Sequence, residues 1–376
     1  MGHVYTPGLK VTEYTRIKRR RILPLKGEVN VSEGDKVAPH DVVASTQLPG
    51  NVDQMNAANI LGCDPDDLPL FMKFKPGEHI EQGEILAQNK GILNTGLFKT
   101  SSKMPFEGSI ETVSTVTGNV LLREMPIPVE VTAYIEGEVT KVIPEEGVVV
   151  EADATFIQGI FGVGGERFGE IEVVSASPED DLVPEKILDS HRGKVLLCGR
   201  KITAEAFKKA MSIGVNAIIG GGVDDRDLYE ILGFDIGVAI TGSEDIETAL
   251  IVTEGFGEIP MAKRTFDLIK KYEGRFASAN GATQIRAGVI RPELVISQPE
   301  PPEGFVKPSE AKMGLDIGSV VRVIRYPYFG QLGEVTELPP ELTVLESESK
   351  ARVLGIRFED GTEATVPRAN VETIES

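Results

Sequence analysis

A glycine-rich stretch in the middle of the chain contains residues that could hold a small ligand. It follows the apolar run Val215–Ile219 and consists of three glycines and a nearby aspartate: Gly220, Gly221, Gly222 and Asp224. Glycines between a strand and a helix let backbone N–H groups face an anion. The acidic residues of the same turn would repel a phosphate, and the spacing differs from both common nucleotide-binding motifs. A tight turn with an acidic cap, which the helix dipole favours, is the alternative.

Two further loops would meet these glycines, because ligands of open α/β sheets bind beyond the carboxyl ends of the strands. Their polar and small residues complete the predicted ligand site: Thr241, Gly242, Ser243, Thr253 and Glu254. No Ser-His-Asp or Cys-His arrangement accompanies them, so we predict no catalytic residue. The sequence leaves open whether the chain is an enzyme and favours a protein that is not.

A basic run near the N-terminus is a second candidate site. It has five positive charges within six residues: Arg16, Lys18, Arg19, Arg20 and Arg21. Exposed cations at this density could bind RNA, a phosphate-bearing ligand or an acidic partner. The alternative is a strand whose long side chains are solvated or paired with the protein's own acids. Three aromatic residues near the C-terminus are also predicted to bind a partner: Tyr326, Tyr328 and Phe329.

The overall charge and composition limit the function classes. The 376 residues include 39 Lys and Arg against 58 Asp and Glu, a net charge of −19, which excludes a generally basic protein that coats nucleic acid. Two cysteines and four histidines are too few for a disulfide framework or a Cys-rich zinc site, so no metal or cofactor is predicted. Neither a membrane span nor a signal peptide is recognisable. We therefore expect a cytoplasmic protein.

Two stretches rich in proline and acidic residues divide the chain. Ser175–Lys186 and Gln298–Glu310 are predicted to be solvated connectors. They separate segments 1–175, 186–297 and 313–376, a number in keeping with the usual size of domains. Short β-branched runs between glycines make the first segment mostly strands.

Internal repeats are the most informative feature of the first segment. Ser32–Ala44 aligns without a gap with Lys75–Ala87, and Phe106–Leu121 aligns with Ile135–Val150. In each pair the glycines coincide and aliphatic residues recur at alternating positions, as in small sheets joined by tight turns. Val52–Leu61 is the exception, with apolar residues at the spacing of one short helix. The segment is therefore predicted to be a repetitive β structure.

The repeats support a resemblance to a known fold. Gly-Asp-x-Val-x-x-x-x-Val-x-Ala, followed by Pro-x-x-Gly-x-Ile-x-x-Val, resembles the barrel-sandwich hybrid of biotinyl and lipoyl carriers over about residues 22–152. The same fold occurs in non-carriers, including the C subunit of Rnf-type electron-transport complexes and inserts of RNA polymerase. Carriers hold their modified lysine at a hairpin tip, and the nearest lysines, Lys90 and Lys99, lack that setting. The resemblance therefore implies a structural or docking role.

The middle segment alternates apolar strands with helices. The predicted strands include Lys194–Cys198, Val215–Ile219 and Gly237–Ile240, and the predicted helices are Thr203–Ile213, Asp224–Leu232 and Pro260–Tyr272. Continuous apolar strands between helices are typical of a mostly parallel sheet that is covered on both faces. The dipeptide Asn280-Gly281 predicts a final hairpin, with Val289–Ile296 as an edge strand.

The third segment consists of short alternating strands. Gly318-x-x-Val-x-Val-Ile, followed by Phe329-Gly330-x-x-Gly333-x-Val335, resembles a KOW module, the SH3-like barrel of NusG-type transcription factors and some ribosomal proteins. Family members that bind RNA are usually basic. Residues 313–376 instead hold 6 basic and 11 acidic residues, a net charge of −5. This departure favours contact with protein.

Together these features predict a multidomain α+β protein with a barrel-sandwich-like β domain, a central α/β domain and a C-terminal SH3-like barrel. The favoured function is a non-catalytic adaptor or scaffold for macromolecular partners, in an assembly linked to transcription or translation. The alternative is an enzyme or sensor that binds a small molecule at the strand-end loops of the α/β domain. Protein partners are expected first, with RNA at the basic strand as the second option. The oligomeric state is left open.

Overall fold

The computed structural model describes residues 9–89, 99–233, 246–283 and 290–302, and of the C-terminal part residues 315, 317–323, 325, 327–328, 331–339, 341–344, 350–358 and 360–375. The chain is a mixed α/β protein, rich in strands, that contains a large mixed sheet. Among these residues, no helix has the length and apolar character that crossing a membrane requires.

The N-terminal part is built mostly from strands, two of which are long, with short helices between them. In chain order they are β1 (Leu9–Ile22), β2 (Glu28–Val29), β3 (Lys36–Val37), β4 (Val42–Leu48), β5 (Val52–Asn56), α1 (Ala57–Leu61), α2 (Leu68–Phe71), β6 (His79–Ile80), β7 (Ile85–Gln88), β8 (Ser101–Lys103), β9 (Gly108–Val113), β10 (Asn119–Glu124), β11 (Ile127–Thr132), β12 (Gly137–Ile143) and β13 (Gly147–Gln158). The predicted predominance of strands is confirmed here.

The sequence repeats form two copies of one structure, and one copy is inserted within the other along the chain. The outer copy contains Ser32–Ala44 and Ile135–Val150, and the inner copy contains Lys75–Ala87 and Phe106–Leu121. The strands of the two copies pair in the same register. In the outer copy, Val37 of β3 lies opposite Gly137 of β12. In the inner copy, the aligned residues Ile80 of β6 and Gly108 of β9 lie opposite each other. The inner copy is inserted between β4 and β11, which pair with each other and close the outer copy around it.

The turns and cores of the two copies are equivalent as well. Gly34 N–H donates to the Val139 carbonyl, and the aligned Gly77 N–H donates to that of Ile110, both at 2.8 Å. The two glycines have φ values of 90° and 88°, which residues with a Cβ rarely adopt. Val139 belongs to the core of the outer copy and Ile110 to a separate core of the inner copy. Each copy therefore has its own turn and its own apolar interior.

The helix predicted for Val52–Leu61 is wrong over its first half. Residues of β5 pair with β10, and only Ala57–Leu61 is helical. Asn56 marks the change, because its Oδ1 accepts a hydrogen bond from the Asn59 N–H at 2.8 Å and so caps the helix. The apolar spacing of this stretch fits a strand followed by a single helical turn equally well.

The middle part combines parallel and antiparallel strands. Its elements are β14 (Phe161–Val163), β15 (Glu166–Val173), β16 (Val195–Leu197), α3 (Ala204–Ile213), β17 (Ala217–Val223), α4 (Asp225–Leu232), β18 (Ala249–Phe256), α5 (Lys263–Lys270), β19 (Phe276–Asn280) and β20 (Glu293–Ser297). β15, β16, β17 and β18 pair in parallel in this order. β14 and β19 join them antiparallel, so the sheet is mixed where a mostly parallel one was predicted.

Helices cover both faces of the parallel strands, as predicted. Val195 and Leu197 of β16 pack with Phe266 of α5, whereas Leu196 packs with Phe207 of α3 on the other face. Thr203, at the start of the helix predicted for Thr203–Ile213, caps α3, since its Oγ1 accepts from the Ala206 N–H at 3.3 Å. α5 begins at Lys263, later than the prediction from Pro260.

Two predictions at the ends of the middle part are wrong. β20 is not an edge strand, because it pairs with β13 on one side and with β19 on the other. The stretch Ser175–Lys186 is not a solvated connector. Its Leu182 is fully buried, and the Leu182 N–H donates to the Lys201 carbonyl at 2.8 Å. Long-range pairing, which the local pattern does not contain, decides both cases.

The C-terminal part is antiparallel. It consists of β21 (Val320–Val323), β22 (Leu332–Glu337), β23 (Leu342–Val344), β24 (Lys350–Phe358), β25 (Glu363–Pro367) and β26 (Val371–Glu375). Val321, Leu354 and Phe358 belong to a core of its own. Strand pairs cross the predicted segment boundaries, since β1 pairs with β26 and β13 with β20. The division into three domains stays a prediction.

Candidate functional site

The glycines of the predicted ligand loop lie within β17 and are buried: Gly220, Gly221 and Gly222. A Cβ atom on Gly221 would lie 2.2 Å from the carbonyl oxygen of Ile259, and one on Gly222 would lie 2.1 Å from that of Gly257. Both distances are far below van der Waals contact. The segment 257–259 of the same chain therefore packs so closely that these two positions require glycine.

The N–H groups that an anion would need at these glycines are already engaged. Gly221 N–H donates to the Gly199 carbonyl at 2.8 Å, and Gly222 N–H donates to the Arg200 carbonyl at 2.7 Å. A ligand that accepted these hydrogen bonds would have to displace the chain that follows β16. The three glycines thus belong to a hydrogen-bonded strand and do not form the tight turn that was the alternative interpretation.

Asp224 lies at the start of α4 and belongs to a charged cluster with Lys201. Lys201 Nζ forms a close ion pair with Asp224 and lies 3.1 Å from Asp227 Oδ2. The hydrogen bond that Lys201 donates to Asp224 raises the pKa of Lys201 well above its ordinary value, so this amine stays protonated and is not a nucleophile at neutral pH. Asp224 therefore occupies the position before α4 without a capping hydrogen bond from its side chain, and its carboxylate pairs with Lys201 instead.

Arg200 extends the same cluster along the sheet edge. Its Nε and Nη2 atoms donate to the two carboxylate oxygens of Asp181 at 2.8 and 2.7 Å. This bidentate pair lowers the pKa of Asp181. Glu258 lies 3.5 Å from Arg200 Nη1 and 3.9 Å from Lys201 Nζ. Two cations thus face four carboxylates in this cluster, which leaves it with an excess of negative charge.

Thr253 and Glu254 lie at the end of β18 and are buried. Glu254 Oε1 accepts from the Ala262 N–H at 3.0 Å and from the Thr253 hydroxyl at 3.1 Å. Glu254 Oε2 lies 2.8 Å from Arg322 Nη2. Arg322 Nη1 also donates to the Thr253 carbonyl at 3.0 Å. The carboxylate therefore joins the end of β18, the residue before α5 and the C-terminal strand β21.

Sequence reasoning missed Arg322. It occupies a buried position between Val321 and Val323, and its side chain is only 3% exposed. An arginine within an otherwise apolar strand is the signal that could have found it, because a buried guanidinium requires an acidic partner. The identity of that partner, 68 residues earlier in the chain, leaves no trace in local patterns.

The cations of the basic strand are mostly paired with the chain's own acids. Arg16 donates to both oxygens of Asp153 at 3.0 and 2.9 Å, which lowers the pKa of that carboxyl. Lys18 Nζ lies 2.6 Å from Glu151. Arg20 is exposed, and in the described part of the chain it forms no ion pair.

Arg19 and Arg21 are the less exposed members of this strand. Arg19 donates to both oxygens of Glu293 at 2.9 and 2.7 Å, with its guanidinium 5.4 Å from the ring centre of Phe156. Arg21 donates to both oxygens of Glu166 at 2.6 Å and lies 5.5 Å from the ring centre of Tyr134. These two arginines therefore tie β1 to β20 and β15.

Some predicted site residues lie outside the described residues: Thr241, Gly242, Ser243, Tyr326 and Phe329. So do Lys90 and the strand predicted for 237–240. Tyr328 is half-buried and stacks on Phe358 with a centroid distance of 5.0 Å. Lys99 is exposed.

Among the described residues, no three His, Cys, Asp or Glu side chains are grouped so that they could hold a metal ion. Burial raises the pKa of the Cys198 thiol to about 12, so this cysteine is not a thiolate at neutral pH. No protein-family model and no curated protein matches the chain.

Proposed function

We propose that the chain is a non-catalytic scaffold that binds macromolecular partners. The observation that carries this proposal is the internal use of the predicted ligand site. Glu254 is buried under Arg322 at 2.8 Å, and the N–H groups of Gly221 and Gly222 donate to the chain's own carbonyls. The strand-end edge is thus covered by the C-terminal part of the same chain. This favours binding of macromolecules at other surfaces over small-molecule chemistry at this edge.

In this proposal the two nested copies are barrel-sandwich hybrids without a carried group. The equivalent registers of β3 with β12 and of β6 with β9 support that interpretation. The C-terminal part is an SH3-like barrel of the KOW type, which the antiparallel pairing of β21, β22, β24 and β25 supports. The KOW resemblance directs the proposal toward an assembly linked to transcription or translation.

The proposed partners are proteins. The C-terminal segment carries a net charge of −5, so it would release few counterions from a nucleic acid. In the basic strand, four of the five cations, all but Arg20, lie in ion pairs with acids of the same chain. Cations that are neutralised internally attract phosphates only weakly.

The test is recovery of the tagged chain from its own cell at native expression level, followed by native mass spectrometry. We expect one or more proteins in stoichiometric amounts, retained at 0.15 M salt and after nuclease treatment. Recovery of a bound small molecule with no protein partner would overturn the proposal. Loss of all bound protein on nuclease treatment would also overturn it, since the binding would then depend on nucleic acid.

A further inference from the structure

The inner copy, called the arm below, has an apolar core of its own. It is connected through residues 49–51 and 125–126, where β4 leads into β5 and β10 leads into β11. In the β5–β10 ladder, Val52 pairs with Arg123 at the attached end and Asn56 pairs with Asn119 at the far end. Four residue steps of about 3.4 Å separate these pairs. The turn between β9 and β10 therefore lies at the distal end, together with α1.

Hydrogen bonds join the elements of this distal end. Ala58 N–H donates to the Gly118 carbonyl at 3.1 Å, and Asn56 Nδ2 donates to the Thr117 carbonyl at 3.2 Å. A Cβ on Gly118 would lie 3.5 Å from the ring of Pro65, which begins the helical turn before α2. The β9–β10 turn, α1 and the Pro65 turn thus form one continuous end of the arm.

Large apolar side chains are exposed on the elements of this end and on α2, which follows the Pro65 turn directly. Val116 in the β9–β10 turn is 84% exposed, Leu70 in α2 is 75% exposed, and Ile60 in α1 is 44% exposed. Val116 and Leu70 are the two most exposed large apolar residues of the described chain. Several exposed large apolar side chains on connected elements are typical of interaction sites, whereas isolated ones need no explanation.

The same end is acidic. Residues 57–71 contain Asp64, Asp66 and Asp67 but no lysine or arginine. All three aspartates are exposed, and in the described residues none of them forms an ion pair. Asp64 occupies the position before the Pro65 turn, yet its side chain makes no capping hydrogen bond. These carboxylates differ from those beside β1, which are matched by arginine and lysine.

We propose that this distal surface, formed by Ile60, Leu70, Val116 and the three aspartates, binds a basic protein segment that carries apolar side chains on one face. Apolar contact supplies a core for the interface, and the aspartates select a positively charged rim. The same charges repel nucleic acid and anionic membranes. The inference rests on the proposed scaffold function and names the surface and the chemistry of the partner.

The experiment measures binding of a labelled 18-residue lysine–leucine amphipathic peptide to the full chain by fluorescence anisotropy. A glutamate–leucine peptide of the same pattern is the probe control. The test variants are Leu70→Ser with Val116→Ser, and Asp64→Asn with Asp66→Asn and Asp67→Asn. The matched controls change exposed residues elsewhere: Leu25→Ser with Leu342→Ser, and Glu130→Gln with Glu138→Gln and Glu205→Gln.

We expect each test variant to weaken peptide binding at least tenfold, each control to change it less than twofold, and 0.5 M salt to weaken binding to the unaltered chain. Unchanged melting temperatures establish that the variants are folded. Equal binding by test and control variants, or equal binding of the glutamate peptide, would overturn the arm proposal. The same test variants in native recovery separate the two proposals. If both test variants retain the protein partners, the proposed surface is refuted and the scaffold function is supported. If the unaltered chain recovers no protein partner, the scaffold function itself is refuted.

Discussion

Arg322 and Glu254 form an ion pair that is closed to solvent, with Nη2 2.8 Å from Oε2 and side-chain exposures of 3% and 2%. The pair connects β21 in the C-terminal part to the end of β18 in the mixed sheet. Since Glu254 also accepts from Ala262 N–H, the same carboxylate holds the chain that leads into α5. One carboxylate therefore links the C-terminal part, the end of β18 and the residue before α5.

Removing one member of this pair should destabilise the protein strongly. We expect Arg322→Met to lower the free energy of unfolding by about 3–5 kcal/mol, because Glu254 would be left buried without its cation. The double variant Arg322→Met with Glu254→Gln should lose less than the sum of the single variants. Urea denaturation of the unaltered protein, of Arg322→Met, of Glu254→Gln and of the double variant measures this coupling energy. Additive effects of the two changes would contradict a direct interaction.

Neighbouring arginines of β1 should differ in their effect on stability. Arg19→Gln loses two charge-assisted hydrogen bonds to Glu293 and should cost about 1.5–3 kcal/mol. Arg20→Gln changes an exposed side chain and should stay within about 0.5 kcal/mol. Thermal and urea unfolding of the two variants provide the comparison. Equal losses would show that the Arg19 pair contributes nothing specific.

His191 should make stability depend on pH. The side chain is buried, and its Nδ1 accepts from the Leu188 N–H at 3.2 Å, which requires an unprotonated nitrogen. Burial lowers the pKa of His191 below its ordinary value of 6.5. The unfolded chain therefore binds a proton at a higher pH than the folded chain does, and stability falls as the pH drops below about 6.5.

The control for this prediction is His191→Asn, whose amide oxygen can accept the same hydrogen bond and does not titrate. We expect the free energy of unfolding to fall less between pH 7 and pH 5 in this variant than in the unaltered protein. Carboxylates titrate in both proteins, so their contribution to the pH dependence of stability cancels in the comparison. Identical pH profiles would assign the dependence to other groups.

The inner copy should be removable. Leu48 and Ile127 are paired directly across β4 and β11, so a two-residue Asn-Gly turn can join them in place of residues 49–126. Because the two copies have separate cores, the shortened chain should keep its fold and a cooperative unfolding transition. Circular dichroism and hydrogen exchange check this. Loss of protected amides in β12 and β13 would show that the outer copy depends on the inner one.

The repeats show how far the sequence alone predicts this protein. The spacing of Gly34 and Gly77 relative to the following aliphatic residues predicted equivalent turns, and the structure places both glycines at nearly the same positive φ. Turns of this kind depend on neighbours within a few residues, so local sequence contains the information. Thr203 as the cap of α3 was predictable for the same reason.

Pairing over long distances was decided only by the tertiary structure. The Val289–Ile296 stretch resembles an edge strand in sequence, yet β20 lies between β13 and β19 because residues far away in the chain hydrogen-bond to it on both sides. In the same way, the sequence places Gly221 in a ligand loop, whereas in the structure the carbonyl of Ile259 occupies the space beside it. The sequence predicts Glu254 to be a loop residue available to a ligand, whereas in the structure Arg322 covers it. Local patterns record backbone preference and hydrophobicity, whereas the partner of a buried group is set by how distant strands pack.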